Sequence, residues 1–226
     1  MDETLAQVVF AFTYFATLFV AGVLWWTAGR SPARRRPESR PFWAWLALGW
    51  TLNIAGNVIW AVHDMTTGTV LPPLSWVDAL YVARYVCLGV AFWQYPAAWE
   101  KRRLLEVGGL LLLLALALWA ALYRTEFVNV ERSWDQVLGV AIYPVLDVGL
   151  IYVLALKWRE MPVEPWRRVL LLLLLGALAY SIANGINFCV RMASLDGSSD
   201  WATLFWFGCD LFAAAAAIWF ARRADR

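Results

Sequence analysis

The chain has 226 residues, of which 62% are hydrophobic and 16% charged, with a formal net charge of +2. A soluble domain has roughly 25% charged and about 45 to 50% apolar residues. The composition therefore excludes an ordinary soluble domain, gives no support for nucleic acid as a partner, and predicts an all-α membrane protein.

Apolar runs of about twenty residues, the length that crosses a bilayer as a helix, occur seven times along the chain. We therefore predict a single transmembrane domain over residues 1–226, folded as a seven-transmembrane helix bundle. Spans one and four have few polar residues, and we expect them at the periphery, facing lipid. The predicted spans are residues 5–27, 42–63, 76–98, 104–123, 134–156, 169–190 and 201–220.

Lys and Arg residues are distributed unequally over the connections between these spans. Fifteen of them lie after spans one, three and five and in the C-terminal tail, whereas the alternate connections contain only Arg124, Arg132 and Arg191. Basic connections remain in the cytoplasm. The distribution predicts an N-terminus outside the membrane and a C-terminus in the cytoplasm.

Span three contains two charged residues inside an otherwise apolar segment. At 100° per residue, Asp78, Tyr81, Arg84 and Tyr85 fall on one stripe of one helix. A charge at the centre of a transmembrane helix costs roughly 2.5 to 3.5 kcal/mol on insertion scales, so it usually faces the bundle interior and finds a partner. We expect this stripe to face the other helices.

Polar residues at spacings of three and four also mark single faces of spans two, five, six and seven. In the membrane, Asn side chains commonly pair across helices, so interhelical hydrogen bonding is the first interpretation of Asn53 and Asn57 and ligand contact the second. The residues on these faces are Trp50, Asn53, Asn57, Trp60 and Asp64 on span two, Tyr143 and Asp147 around Pro144 on span five, Tyr180, Ser181, Asn184 and Asn187 on span six, and Trp206 and Asp210 on span seven.

Counted inward from the outer ends of the spans, these residues form a layer near mid-membrane and a funnel that opens outward. Arg84 and Asp210 fall at the same depth with opposite charge, and we expect them to form a structural ion pair. Asp147 lies about one turn deeper, without an obvious cation. The candidate ligand-binding residues are Asn53, Asn57, Trp60, Asp78, Tyr81, Tyr85, Tyr143, Asp147, Asn184 and Trp206.

Tryptophans concentrate at the ends of the spans, where they commonly anchor helices at the membrane interface. We expect Trp43 and Trp166 to be such anchors on the inner side, and Trp76 and Trp201 on the outer side. The deeper tryptophans are candidates for the wall of a pocket: Trp50, Trp60, Trp93 and Trp206.

The inventory of ligating side chains argues against a metal or a cofactor, and we expect none. The cysteines have no metal-ligand or redox spacing. A single histidine, His63, excludes a haem held between two histidines. The lysines, Lys101 and Lys157, lie at span ends, so a mid-membrane Schiff base to retinal is not expected.

Two segments resemble a known family. P-L-S-W-V-D-A-L-Y at 73–81, followed by Tyr85, and Y-P-V-L-D-V-G-L at 143–150 are similar to paired signatures in the seven-span N-terminal sensory regions of bacterial diguanylate cyclases of the GGDEF class. Leu74, Arg84 and Asp210 depart from the pattern. The resemblance implies a bacterial inner-membrane module that signals to a cytoplasmic partner. Either a stand-alone relative or an excised membrane portion remains open, and so does a homodimer.

Three functions remain open. The first is a receptor that binds a small or lipid-like ligand in the outward-facing cavity. The second is a transporter of protons or small solutes that uses Asp147, Arg84 and Asp210. The third is an intramembrane hydrolase, which we disfavour because F-G-C-D at 207–210 matches an aspartyl protease motif poorly and no Ser/His pairing is available deep in the bundle. We therefore expect a protein that is not an enzyme.

Overall fold

A computed structural model describes residues 3–29, 37–69, 75–94, 101–124, 134–162, 164–192 and 200–224. Within these ranges the chain is helical apart from short turns. The α-helices, named here in chain order, are α1 (Glu3–Gly29), α2 (Arg40–Thr67), α3 (Trp76–Gln94), α4 (Lys101–Arg124), α5 (Trp134–Glu160), α6 (Trp166–Met192) and α7 (Asp200–Ala224), and a 3-10 turn, Pro37–Ser39, precedes α2.

The helices coincide with the predicted apolar segments. Each helix contains its segment in full except α3, whose predicted last residues, 95–98, lie outside the described residues. Six helices have a window long and apolar enough to cross a membrane, and α4 has a shorter apolar stretch, Leu105–Leu118. The all-α class is confirmed, and its six long apolar helices suggest a multi-pass membrane protein. Part of the basic charge on which the predicted orientation depends also lies outside the described residues, at Arg30, Arg34, Arg35, Arg36, Arg132 and Arg226.

Local sequence explains the ends of α2. Pro41 stands in its first turn, where a missing N–H costs nothing. At the other end, Gly68 adopts a left-handed conformation with φ 63°, and its N–H donates to Asp64 O at 2.8 Å. Glycine takes this conformation without the steric cost that a Cβ would add.

The packing partners show which helices are central. Helix α2 packs against α1 and α3, α6 packs against α5 and α7, α1 also packs against α7, and α3 contacts α5. Helix α1 buries Val20 and Leu24 in the core, so it is more than a peripheral helix, but it also exposes a broad apolar face, which includes Phe15 and Phe19, as expected for contact with lipid. Helix α4 packs only along α5 among the described elements, and most of its described side chains are exposed, as expected for a lipid-facing helix.

Five large aromatic residues fill one end of the bundle. Their ring centroids lie 4.9 to 6.1 Å apart, the range of favourable aromatic pairs, and their relative exposure is at most 5%. The prediction that Trp43 and Trp166 anchor the interface is therefore wrong, because both rings point inward. Trp76 and Trp201 are exposed, which is compatible with the predicted anchoring at the outer interface. We call this group the aromatic cluster: Phe42, Trp43, Phe92, Trp166 and Phe220.

Candidate functional site

Buried and half-buried polar side chains from six helices meet in the other half of the bundle. They come from the polar faces that the sequence indicates on α2, α3, α5, α6 and α7, with one addition from α1. We call this group the polar cluster: Thr17, Trp50, Asn53, Asn57, Asp78, Tyr81, Arg84, Tyr85, Tyr143, Asp147, Tyr180, Asn184, Trp206 and Asp210.

Asp147 of α5 is the most deeply buried carboxyl group of the cluster, with 1% exposure. Tyr85 Oη donates to its Oδ1 at 2.6 Å, and Asn184 Nδ2 donates to its Oδ2 at 2.8 Å. Trp206 Nε1 donates in turn to Asn184 Oδ1 at 3.2 Å. Four of the candidate ligand-binding residues thus form one hydrogen-bonded chain across α3, α5, α6 and α7.

Arg84 lies beside this chain with 3% exposure. Its Nη1 donates to Asn53 Oδ1 at 3.0 Å, and its Cζ lies 4.0 Å from the ring centroid of Tyr180 and 5.0 Å from that of Trp50. The attraction between an aromatic face and a guanidinium is worth about 2 kcal/mol when both groups are desolvated. Its Nε, however, has no hydrogen-bond partner among the described residues.

Asp210 does not form the predicted ion pair with Arg84. Its two carboxyl oxygens accept hydrogen bonds from Trp50 Nε1 at 2.8 Å and from Thr17 Oγ1 at 2.6 Å. Trp50 therefore contacts both groups, with its N–H on the carboxylate and its ring against the guanidinium. The ion-pair prediction is wrong because an indole, rather than a direct contact, connects the two charges.

Asp78 stands in the first turn of α3, where its position has a local explanation. Its Oδ2 accepts from the backbone N–H of Ser75 at 2.8 Å and from Ser75 Oγ at 3.1 Å, which satisfies free donors at the helix N-terminus. Its Oδ1 accepts a hydrogen bond from Tyr143 Oη of α5. Asp78 therefore caps α3 and ties it to α5.

Tyr81 connects α3 to α2. Its Oη donates to Asn57 Oδ1 at 2.8 Å, while Tyr14 Oη of α1 donates to the backbone carbonyl of Asn57 at 3.3 Å. The ring of Tyr81 lies over Gly56, where an added Cβ would stand only 2.9 Å from ring carbons. Glycine at 56 is what allows this close approach. Asn53 and Asn57 of α2 thus both hydrogen-bond to residues of α3, as the interpretation of interhelical hydrogen bonding predicts.

Trp60 is the one candidate ligand-binding residue that the polar cluster does not include. It is half-buried and makes no hydrogen bond to the described residues. Trp93, another candidate for a pocket wall, is 43% exposed and points away from the interior.

A cavity of about 20 Å³ lies between the polar and the aromatic clusters. This volume holds one or two water-sized groups. Arg84, Tyr85, Tyr180 and Trp50 close one end, and the remaining walls are mostly aliphatic, with Phe92 at the other end: Leu46, Leu88, Leu150, Leu154, Leu173, Gly176, Ala177, Cys209 and Ala213. The cavity therefore lies beyond Arg84, toward the end of α3 that the charge distribution predicts to be cytoplasmic. The predicted funnel would open on the opposite side of Arg84, where the hydroxyl groups of Tyr81 and Tyr143 bond directly to Asn57 and Asp78.

Four residues around Arg84 and Asp210 are missing from the candidate ligand-binding residues, although one of them, Trp50, is a predicted pocket wall and does line the cavity. Trp50 lies three residues before Asn53, and Tyr180 lies four residues before Asn184. Each therefore shares a helix face with a candidate, and this spacing could have identified it from the sequence. Cys209 Sγ, 4.0 Å from Arg84 Nη2, and Thr17 carry none, because a single Cys or Thr in an apolar helix is ordinary. No group of three or more His, Cys, Asp or Glu side chains is gathered as in a metal site within the ranges that the structure describes.

Comparisons of the chain with family models, with curated proteins and with solved structures find no match.

Proposed function

We propose that the chain is a bacterial inner-membrane sensory module that binds a small or lipid-like ligand in the interior of a seven-span bundle and signals to a cytoplasmic partner. The orientation, with the N-terminus outside and the C-terminus in the cytoplasm, is supported by the fifteen-to-three distribution of basic residues. The sensory role is supported by the resemblance of residues 73–85 and 143–150 to sensory regions of diguanylate cyclases.

The observation that carries the proposal is the cavity against Arg84. A buried guanidinium without a direct ion pair among the described residues, next to a space with apolar walls, is the arrangement of a ligand site: an apolar pocket with few convergent polar groups. A purely structural arginine would be expected to have its donors satisfied.

The polar cluster also supplies a means of transmission. The contacts of Arg84 and Asp147 join α2, α3, α5, α6 and α7, and α3, α5 and α7 end on the predicted cytoplasmic side. A ligand that displaces Arg84 or Tyr85 therefore changes the packing of helices whose ends can reach a partner. It can shift the equilibrium only by its difference in affinity for the two arrangements.

Thermal-shift screening of the full chain in nanodiscs against a broad library of small molecules tests the proposal. We expect compounds that raise the melting temperature of the wild type and lose that effect in Tyr85→Phe, which removes the hydroxyl bound to Asp147. The matched control is Tyr152→Phe, outside the cluster on the same helix as Asp147. A library without any compound whose effect depends on Tyr85 would contradict the proposal.

A proton carrier is the second candidate, because the contacts Tyr85–Asp147 and Tyr143–Asp78 place hydroxyl groups on buried and half-buried carboxyl groups. Embedded acids of this kind mark proton pathways in many transporters. Proton flux into proteoliposomes that disappears in Asp147→Asn would favour the carrier over the sensor. Flux that does not exceed that of empty liposomes would exclude it.

A further inference from the structure

Two arginine side chains converge on one tryptophan ring where α6 begins and α7 ends. The Cζ of Arg168 lies 4.1 Å from the ring centroid of Trp219, and the Cζ of Arg223 lies 4.9 Å from the same centroid. The two guanidinium groups are therefore neighbours, although they belong to different helices. Like charges at such a separation repel each other unless an anion lies near both.

A neighbouring carboxylate balances this charge only in part. Arg168 Nε lies 4.0 Å from Glu164 Oε1, and both side chains are about half exposed. An exposed pair at this distance contributes little. Arg223 forms no ion pair with any other of the described residues. The two guanidinium groups thus present more positive charge than Glu164 can balance.

The position of the two arginines indicates a membrane lipid rather than a soluble anion. Leu175 and Ile182 follow Arg168 at spacings of seven and lie within about 40° of it around α6. Both are exposed, by 38% and 47%, as apolar side chains in contact with acyl chains are. Arg168 therefore stands at the headgroup end of a lipid-facing stripe, on the side of the membrane that the basic residues predict to be cytoplasmic.

We propose that Arg168, Arg223 and Trp219 form a binding site for the phosphate group of an anionic phospholipid whose acyl chains lie along Leu175 and Ile182. Guanidinium groups bind phosphate oxygens through pairs of N–H donors, and basic pockets between transmembrane helices bind anionic headgroups. A zwitterionic lipid such as phosphatidylcholine has a cation next to its phosphate, which two guanidinium groups disfavour. The inference is independent of the sensory function, because it concerns the lipid-facing surface of α6 and α7.

Native mass spectrometry of the full chain tests the preference for an anionic headgroup, because it resolves the protein with and without one bound lipid. The chain in detergent micelles is titrated with phosphatidylglycerol, or with phosphatidylcholine that has the same acyl chains. We expect the first phosphatidylglycerol to bind at least about tenfold more tightly than phosphatidylcholine.

Two matched pairs of substitutions locate the site. Arg168→Gln and Arg223→Gln together should weaken the binding of phosphatidylglycerol by at least about tenfold, and each alone by roughly fivefold. Arg167→Gln and Arg222→Gln together remove the same charge from the same helices, but Arg167 lies over another ring, that of Trp158. This control pair should change the binding by less than about threefold. All four arginines are exposed, so we expect every variant to fold.

A third titration separates the lipid from a soluble anion of the same chemistry. Glycerophosphoglycerol, which is the headgroup without acyl chains, should not displace phosphatidylglycerol at an equal concentration, because it cannot contact Leu175 and Ile182. Displacement would overturn the proposal in favour of a soluble phosphate compound. Equal losses in the two pairs of variants would overturn it in favour of diffuse surface charge. Equal binding of the two lipids would also overturn it, and would indicate an acidic protein segment as the occupant instead.

Discussion

The polar cluster and the aromatic cluster occupy opposite halves of one bundle and connect largely the same helices. In the aromatic cluster, rings from α2, α3, α6 and α7 pack without any hydrogen bond between them, at centroid distances of 4.9 to 6.1 Å. In the polar cluster, most contacts are hydrogen bonds between a particular donor and a particular acceptor, such as Tyr85 and Asp147 at 2.6 Å. Ring packing allows the helices to slide against each other, whereas hydrogen bonds between particular atoms do not.

The difference matters because apolar burial gives little preference for one helix partner over lipid inside a membrane. Ring packing is worth about 0.5 to 1.5 kcal/mol per pair beyond area burial, and several arrangements of rings can satisfy it. Hydrogen bonds between particular atoms fix which residues face each other. The aromatic half thus supplies cohesion, and the polar half supplies register and a place where a small change in polar contacts alters several helices together.

The largest expected effect comes from removing the cation of the polar cluster. Arg84→Met leaves Asp147 and Asp210 buried without their nearest positive charge, and loss of one member of a buried charged group costs about 3 to 5 kcal/mol. We expect a loss of that size in the free energy of unfolding, measured by titration with sodium dodecyl sulphate in mixed micelles.

The matched control for Arg84→Met is Arg168→Met. Arg168 also lies over an aromatic ring, with its Cζ 4.1 Å from the centroid of Trp219, but its side chain is 50% exposed. We expect at most about 1 kcal/mol there. Equal losses at the two positions would show that the polar cluster has no special energetic role.

The helices could be predicted from the sequence, and so could the faces that carry the site, but not the pairs within it. Runs of about twenty apolar residues and spacings of three and four fix where a helix lies and which face is polar. Partners depend on side-chain reach as well as depth: an arginine or a tyrosine extends about as far as one 5.4 Å helical turn. Equal depth was therefore not enough to predict an ion pair between Arg84 and Asp210, because Trp50 donates a hydrogen bond to the carboxylate of Asp210 instead.

The burial of single residues also could not be predicted from the sequence. Trp43 and Trp166 lie at span ends, where tryptophan is usually an interfacial anchor, but position along a helix does not say which way a ring points around it. Thr17 looks like any threonine in an apolar helix. Its hydroxyl has a carboxylate partner, Asp210, because α7 packs against α1 in the folded bundle.

The next prediction compares one small change in each cluster. Tyr85→Phe removes one hydroxyl, which leaves Asp147 Oδ1 without its donor, and hydrogen bonds to charged groups are worth about 1.5 to 3 kcal/mol. Phe220→Leu removes part of a fully buried ring of the aromatic cluster, and we expect a loss below about 1.5 kcal/mol because the neighbouring rings can move into the space. A larger loss of unfolding free energy in Phe220→Leu than in Tyr85→Phe would contradict the view that the polar half holds the directional contacts.

The smallest expected effect concerns a pair of glycines on neighbouring helices. In Gly56→Ala the new methyl group would stand 2.9 Å from two ring carbons of Tyr81, so the ring must move and weaken its 2.8 Å hydrogen bond to Asn57. In Gly89→Ala nothing lies within 4 Å of the new methyl group, and the helix gains up to about 1 kcal/mol from the better propensity of alanine. The same gain in propensity applies at Gly56, but the displaced ring and the weakened hydrogen bond outweigh it, so the two substitutions should change the free energy of unfolding in opposite directions, with a net loss of up to about 1 kcal/mol at Gly56. A stabilising Gly56→Ala would mean that Tyr81 does not hold α3 against α2 and that this part of the polar cluster does not fix register.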